Sequence, residues 1–531
     1  MKNKFLTLLA ATAMLVGCSD AYEIEQPGYV TEESTVFSNA DDIAKGVQGL
    51  YSSLPGESEI SFDSFFTDEI APGRNNSGQG VNDGSYTFML QAGNSFASST
   101  WSSYYNVVNR ANRMLARIDV LSENAETGEA NKLKQNKAVL HAMRAYCHYK
   151  LFAFFTPDYT NPSGLSVIKF DFLQTEDYSR FEKRSTVAEI VSFIESDIQT
   201  ARSLGLSGSD SSYMNVNVLD AILVKMYSMI GSADAYTKLE EAFDRLTSSS
   251  NARSMVDAFT YSEYFTSYPF NESAESIFRL KRTSTYGSTT SGVASAWYAA
   301  KVNLDSDNVI YMEMGRSLYN ELDKLDASKT GSIRVNEDRS DVRYNMCVFP
   351  DSKVEVNYQN LSQDDYLSKD LILIGKYTGI TSRPLMNDIS IFRFTDMLLA
   401  LAEKRAYEGA TDGTVAMGDY SNVKSIIYNI RVNRNINGEA GITMPTDFSS
   451  TQAAYARILE ERRVEFAFEG MRYLDMKRLG VKAGSPGFVR DAKDCASTGA
   501  CQLEPNTFRS TLPIPRAEIL SNPNMIQNQG Y

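Results

Sequence analysis

The chain has 531 residues, of which 22% are charged and 11% aromatic, and a formal net charge of −14. An acidic balance of this size argues against a nucleic-acid partner, whose phosphates need a basic footprint, and against anionic lipid headgroups as a direct contact. The length suits one large helical domain or two ordinary ones, and beyond the first eighteen residues no stretch is long and apolar enough to span a membrane.

At the N-terminus Lys2 and Lys4 precede an apolar run over residues 5–16 that is too short for a spanning helix. The run ends in Leu15-Val16-Gly17-Cys18, followed by Ser19-Asp20. A cysteine directly after a small residue is the bacterial lipobox pattern, in which the chain is cut before the cysteine and a diacylglyceride caps its thiol. The alternative is an ordinary signal peptide with a chance cysteine. The lipobox reading makes 1–17 a signal peptide and 18–38 a lipidated N-terminus and polar tether. Loss of Lys2 and Lys4 would bring the net charge to −16.

Helical patterns then follow in order. Residues 41–54 carry apolar or small side chains at helical spacing and stop at Pro55-Gly56. Residues 56–99 read as loop, rich in Gly, Asn, Ser and Asp. Residues 101–121 place Tyr105, Val108, Ala111, Asn112, Leu115 and Ile118 on one helical face. A second long helix is predicted over 131–155, ended by Pro157. A helix over 185–204 opens on the capping box Thr186…Glu189, and 216–230 with 236–246 form a helical hairpin around Gly231. Helix pairs on short turns suggest stacked tetratricopeptide-like units, although the repeat consensus itself is not visible.

Between about 250 and 385 helical period fades, Ser, Thr, Tyr, Asn and Gly dominate, and strand-like pieces appear at 276–280 and 371–374. Helices return over 389–407, 420–434 and 451–478, and 481–531 reads as loop. The expected architecture is mainly α: residues 39–531 form a single domain, with a helical scaffold from 39–250 and 386–480 and a large irregular, loop-rich insert at 250–385.

Chemistry-bearing motifs are scarce. His141 and His148 share a face of the second long helix, which is otherwise apolar or small, and no Glu completes a zinc motif. Asp305, Asp307 and Asn308 lack the glycine and terminal Glu of a calcium loop. No metal, cofactor or catalytic set is expected. Cys147 reads as a buried thiol. Cys495 and Cys501 have the spacing of a small disulfide loop in an exported protein.

The segment Glu461-Arg462-Arg463-Val464-Glu465-Phe466-Ala467-Phe468-Glu469-Gly470-Met471-Arg472-Tyr473-Leu474-Asp475-Met476-Lys477-Arg478-Leu479-Gly480 closely resembles the signature of the SusD/RagB family. The closing stretch, with Leu512-Pro513-Ile514-Pro515, Asn522-Pro523 and Gln527-Asn528-Gln529-Gly530-Tyr531, resembles that family's terminal segment. Trp101 with Tyr104, Asn109 and Asn112, Arg144-Ala145-Tyr146 and Phe392-Arg393-Phe394-Thr395-Asp396 extend the likeness along the chain. One departure is Phe154-Phe155-Thr156-Pro157-Asp158, which stands where the family has a different turn. The resemblance implies an α-superhelix of tetratricopeptide-like pairs with its ligand site on the loop face. It also implies a non-catalytic lipoprotein on the outer surface of a Bacteroidota outer membrane, held there by its lipid alone. Such a protein captures an oligosaccharide for a SusC-like TonB-dependent transporter. Capture of a peptide, as in the RagB branch, is the second reading, and a surface glycoside hydrolase the third.

Read by residue, the signature is structural. Wound as one helix, 455–473 is apolar on both sides, so its charges must be buried and paired. Arg462, Glu465, Glu469 and Arg472 are therefore expected to form an internal ion network, with Arg462 opposite Glu465 or Glu469. The sharper alternative is a carboxylate pair for acid–base catalysis. For a neutral glycan, aromatic platforms with amide, carboxylate and guanidinium groups are needed. Two loop regions offer them. One holds Asp68, Arg74, Asn75 and Asn76, with Gln79, Asn82 and Asp83; the other holds Tyr286, Trp297 and Tyr298, with Tyr319 and Tyr344. Trp297 is the foremost platform candidate, with core packing under the insert as its alternative. Turn formation is the alternative for each Asn and Asp.

Overall fold

Short polar side chains set where the helices begin, by accepting hydrogen bonds from backbone N–H groups that have no partner in the first turn. In the computed structural model the described residues are 36–173, 181–248, 251–266, 273–282, 297, 310–326, 328–329, 339–380, 383–384 and 387–531. Cys18, Tyr286, Tyr298 and residues 305–308 lie outside them. Asn39 caps α1 (Ala40–Tyr51) through Asp41 N and Asp42 N, and Asn94 caps α3 (Ser95–Ser122) through Ala97 N. Thr186 and Glu189 close the capping box of α5 (Val187–Ser203). Asn215 caps α6 (Val216–Ile230), and Gly231, at φ 64°, ends it in the left-handed region and turns the chain into α7 (Ala233–Ser248).

These helices pack in sequence, α3 on α4 (Thr127–Phe155), α4 on α5 and α6 on α7. From Ala142 to Phe155 every residue of α4 is buried, which makes it the central rod of this half. The insert carries the short helices α8 (Ala258–Thr266), α9 (Arg316–Asp323), α10 (Val342–Cys347) and α11 (Gln363–Lys369), and the C-terminal half supplies α12 (Phe394–Tyr407), α13 (Val423–Arg434), α14 (Thr451–Glu465) and α15 (Arg472–Leu479). Helix α12 packs against α6 and α7 as well as α13 and α14, so one apolar core runs through both halves. The fold is mainly α.

Four two-stranded sheets are described, each too small to stand alone. Two of them staple the insert to the scaffold. Strand β1 (Ile70–Pro72) pairs antiparallel with β3 (Met312–Met314), Ile70 opposite Met314. Strand β2 (Ser276–Leu280) pairs antiparallel with β4 (Ile389–Arg393), with irregular register between Ser276 and Arg279.

Several boundaries differ from the periodicity reading. Residues 56–66 are not loop: α2 (Glu57–Phe66) lies there, and α3 starts at Ser95 rather than 101. Residues 389–393 are strand, and the helix begins only at Phe394. The predicted helix over 451–478 is two helices, because Phe468 and Gly470 take φ values of 61° and 75°. A Cβ on Gly470 would sit 3.2 Å from Ile60, so the turn is seated against α2. Cys495 and Cys501 form a disulfide with Cα atoms 5.2 Å apart, and Cys147 and Cys347 are buried thiols.

Candidate functional site

Turning the chain at 466–471 separates Glu465 from Glu469 and redistributes the signature charges. Arg462 Nη2 donates to Asp396 at 2.6 Å and Nε to Asp475 at 2.7 Å, so its partners are neither Glu465 nor Glu469. Lys225 shares Asp396 at 2.8 Å. Glu465 accepts from Arg393 and Arg434, each at 3.0 Å, and from Arg343 at 3.4 Å. Glu469 accepts from Lys376 at 2.6 Å and Arg393 at 2.9 Å. Arg472 holds Asp68 at 2.9 Å, and Arg463 reaches the same carboxylate at 3.1 Å.

All of these side chains are buried or nearly so. Burial opposes ionisation of Glu465, but Arg434, Arg393 and Arg343 outweigh it and hold its pKa at about 2. A carboxylate so held has no proton to donate at neutral pH. Asp68 is kept well below the ordinary carboxylate range in the same way, burial being outweighed by Arg463 and Arg472. Asp68, expected at a ligand, is instead 1% exposed and part of the ion lattice.

The platform expectation for Trp297 also needs correcting. Its indole is 3% exposed, lies 5.7 Å from the Phe468 ring and donates Nε1–H to Lys376 O at 3.3 Å. Both needs of a tryptophan, apolar contact and one acceptor, are met inside the protein. Tyr319 and Tyr344 are buried with their hydroxyls 3.2 Å apart.

The loop after β1 is tied by hydrogen bonds and partly open. Asn76 builds it: Oδ1 accepts from Gly78 N at 2.9 Å, and Nδ2 donates to Gln79 O and Tyr311 O, both at 3.0 Å. Its amide is spent on the turn. The backbone N–H of Asn75 donates to Ile310 O at 2.9 Å, while the Arg74 side chain is exposed.

On its far side this loop forms one wall of a cleft of about 490 Å³ with α2 and α3. Phe62 and Phe96 stack at its floor, their centroids 4.0 Å apart. Gly80 packs closely against the half-buried Phe65: at φ 67°, a Cβ there would fall 2.0 Å from the ring. Ser58, Ser61, Ser95 and Ser99 bring hydroxyls to the walls, and Asp83 stands exposed on the rim. An aromatic floor ringed by hydroxyls and one carboxylate can hold an uncharged polyol through its apolar face and its OH groups. Of these residues only Asp83 was singled out from the sequence. The overlooked signal is Ser58, Phe62 and Phe65 at helical spacing, with Ser95 and Ser99 one turn apart on α3.

Around this geometry the architecture is that of the SusD superfamily. A SusD superfamily protein from Bacteroides thetaiotaomicron VPI-5482 matches with a TM-score of 0.68 at 21% identity, over 92% of this chain and 99% of that one. A putative sugar binding protein from Bacteroides vulgatus ATCC 8482 matches with a TM-score of 0.65 at 22% identity, over 93% and 99%. In sequence, SusD-like protein P2 of Formosa agariphila is 20% identical over 558 residues, covering 100% of both chains. Residues 282–531 match the SusD family model, and 29–218 match the family described as "Starch-binding associating with outer membrane". The chain belongs to the SusD/RagB family. Among the described residues no helix is long and apolar enough to cross a membrane.

Proposed function

We propose that this protein is a non-catalytic binding lipoprotein of the outer membrane, anchored through Cys18 and facing the cell exterior. It captures an oligosaccharide and delivers it to a SusC-like TonB-dependent transporter. The observation that carries the reading is the match of residues 29–218, which include all the residues named in the serine-lined cleft, to a family described as starch-binding and outer-membrane-associating. In the cleft, a sugar ring lies with its C–H face toward Phe65 and the Phe62–Phe96 floor, while its hydroxyls exchange water for Ser58, Ser61, Ser95, Ser99 and Asp83. Nothing in this exchange requires a proton transfer. The buried acids of the signature face guanidinium and ammonium groups rather than the cleft.

Calorimetric titration of the purified mature chain with neutral hexasaccharides and with a tryptic peptide mixture tests the ligand. Saccharide binding without product release is expected. Peptide binding alone would replace the glycan, and cleavage of a bound polymer would make the protein a hydrolase. For the anchor, Cys18→Ala should abolish palmitate labelling and release the protein from the outer membrane. A variant that stays firmly membrane-bound without lipid would remove the lipoprotein assignment.

A further inference from the structure

A second cleft opens farther along α3, with a volume of about 300 Å³. One wall is aromatic. Trp101 and Tyr105 have centroids 4.8 Å apart, Tyr105 and Phe170 6.2 Å, and Phe170 and Phe172 4.6 Å. Trp101 is 5% exposed and backs the wall, while the rings of Tyr105, Phe170 and Phe172 are half-buried, and the backbone carrying the phenylalanines is clamped. Tyr105 Oη donates to Ile168 O at 2.9 Å and accepts from Ile168 N at 2.8 Å. Asn112 Nδ2 donates to Phe170 O at 3.1 Å and Phe172 O at 3.0 Å, and Phe170 N–H donates to His148 Nε2 at 3.2 Å. Three side chains from two helices thus hold a strap whose phenylalanines line an open cleft rather than closing into the core.

The other wall is polar and acidic. Glu518 Oε2 accepts from Trp101 Nε1–H at 3.3 Å and Oε1 from Asn522 Nδ2 at 3.4 Å. Both donors are neutral. Glu182 and Asn522 complete this side, and among the described residues no lysine or arginine lines the cleft. An apolar wall facing carboxylate and amide acceptors suits a ring with one C–H face and several O–H donors. It disfavours a ligand carrying carboxylate or sulfate, which would meet like charge.

The two clefts share one ridge. Ser95 and Ser99 line the first and Ser102 the second. Their spacing of four and three residues sets them on one stripe of α3, about 10 Å long at the helical rise. All three are exposed.

We propose that the Trp101–Tyr105–Phe170–Phe172 cleft is a second subsite that seats one ring of an uncharged oligosaccharide, other rings of the same chain occupying the serine-lined cleft, and that its acidic wall rejects acidic sugars. This rests on the glycan-binding reading above. Joining two subsites in one ligand raises affinity steeply once the chain spans both.

The test uses the mature wild-type protein and the variants Phe172→Ala and Ser102→Tyr, the second filling the mouth of the cleft from an exposed position. Each is titrated with maltohexaose, cellohexaose, xylohexaose, the matching trisaccharides and oligogalacturonate, and its melting temperature is recorded. The expected result is a gain in affinity from trisaccharide to hexasaccharide in the wild type and a roughly tenfold loss for the hexasaccharide in both variants. The melting temperature of Ser102→Tyr should not move, and the wild type should bind oligogalacturonate far more weakly. Unchanged hexasaccharide affinity in both variants would overturn the second subsite while leaving glycan capture standing. Oligogalacturonate bound as tightly as the neutral chains would overturn the charge selection. If a lysine-rich peptide competes at this cleft and no saccharide does, the ligand class is wrong. If the wild type binds no saccharide at all, the glycan reading falls and this subsite with it.

Discussion

The C-terminal signature and the serine-lined cleft handle polar groups in opposite ways. Around the signature, Arg343, Arg393, Arg434 and its own Arg462 are 0–2% exposed and each meets at least two carboxylates. Taking such charges out of water costs several kcal/mol per ion, so the arrangement is stable only when it is complete. In the cleft the polar groups are hydroxyls and one exposed carboxylate, over a floor of stacked rings. Hydroxyls pass from water to a ligand at little net cost, so this region tolerates being empty or full. Rigidity is carried by one kind of polar chemistry and exchange by the other.

The sharpest way to break the contrast is Glu465→Ala. It would leave Arg343, Arg393 and Arg434 around a vacant position and should cost about 3–5 kcal/mol or more, read by urea denaturation. Saccharide affinity per folded molecule should not change. Full stability with lost binding would place Glu465 in a ligand site instead. Next in size is Trp297→Ala. Removing a buried indole should cost about 3–5 kcal/mol through the cavity it leaves, again with binding unaffected. A stable variant that loses affinity would restore Trp297 as a platform.

How much of this was legible in the sequence depends on the range of the interactions. The capping box at Thr186, the stop at Gly231 and the course of α3 and α4 are local, and spacing reveals them. That the signature charges are buried follows from a segment apolar on both sides. Their partners do not follow, because Asp396, Lys225 and Arg434 arrive from distant parts of the chain. The break after Glu465 was hidden because the residues on both sides of Gly470 keep helical spacing. Trp297 misled for the same long-range reason: Lys376 and Phe468, which enclose it, are far away in sequence. Helix α2 was missed because its sequence, ESEISFDSFF, alternates serine and acid with phenylalanine and resembles a polar loop.

Two smaller effects sharpen the rigid side. Burial raises the pKa of Asp494 to about 7, although Tyr366 and the Arg316 N–H donate to it, and raises that of Glu69 to about 7 as well. Both folded values exceed the unfolded carboxylate values, so between about pH 4 and pH 7 the folded state binds more protons and stability falls as pH rises. Above about pH 7 this contribution is flat. At the acid end, Asp68 and Glu465 act with the opposite sign, because their depressed values lose stability below about pH 4. Melting temperature should therefore peak near pH 4–5 and fall toward pH 8, and Asp494→Asn should flatten the fall. A melting curve that rises steadily to pH 8 would contradict the assignment. The disulfide comes next: Cys495→Ser with Cys501→Ser frees a short loop and should cost about 2 kcal/mol, measured against the oxidised parent. No loss would mean that the loop is held by its own hydrogen bonds.

The smallest expected effect decides the exchanging side. Phe65 is half-buried, packs against Gly80 and lines the serine-lined cleft. If its ring meets a sugar, Phe65→Ala removes part of a contact whose full burial is worth about 1.5–3 kcal/mol. A loss of about 1.4 kcal/mol is tenfold in affinity. Stability should fall by less than in the Trp297 variant, because Phe65 is partly in water already and Phe62 and Phe96 keep the floor stacked without it. Phe65→Tyr keeps the ring and adds a hydroxyl, so it should retain binding. The pair thus separates a platform from a packing residue. Affinity lost in Phe65→Ala and kept in Phe65→Tyr, at nearly constant melting temperature, is the reverse of the Glu465→Ala pattern. Equal affinity in all three proteins would move the ligand away from this cleft and leave the contrast between the two regions without its functional half.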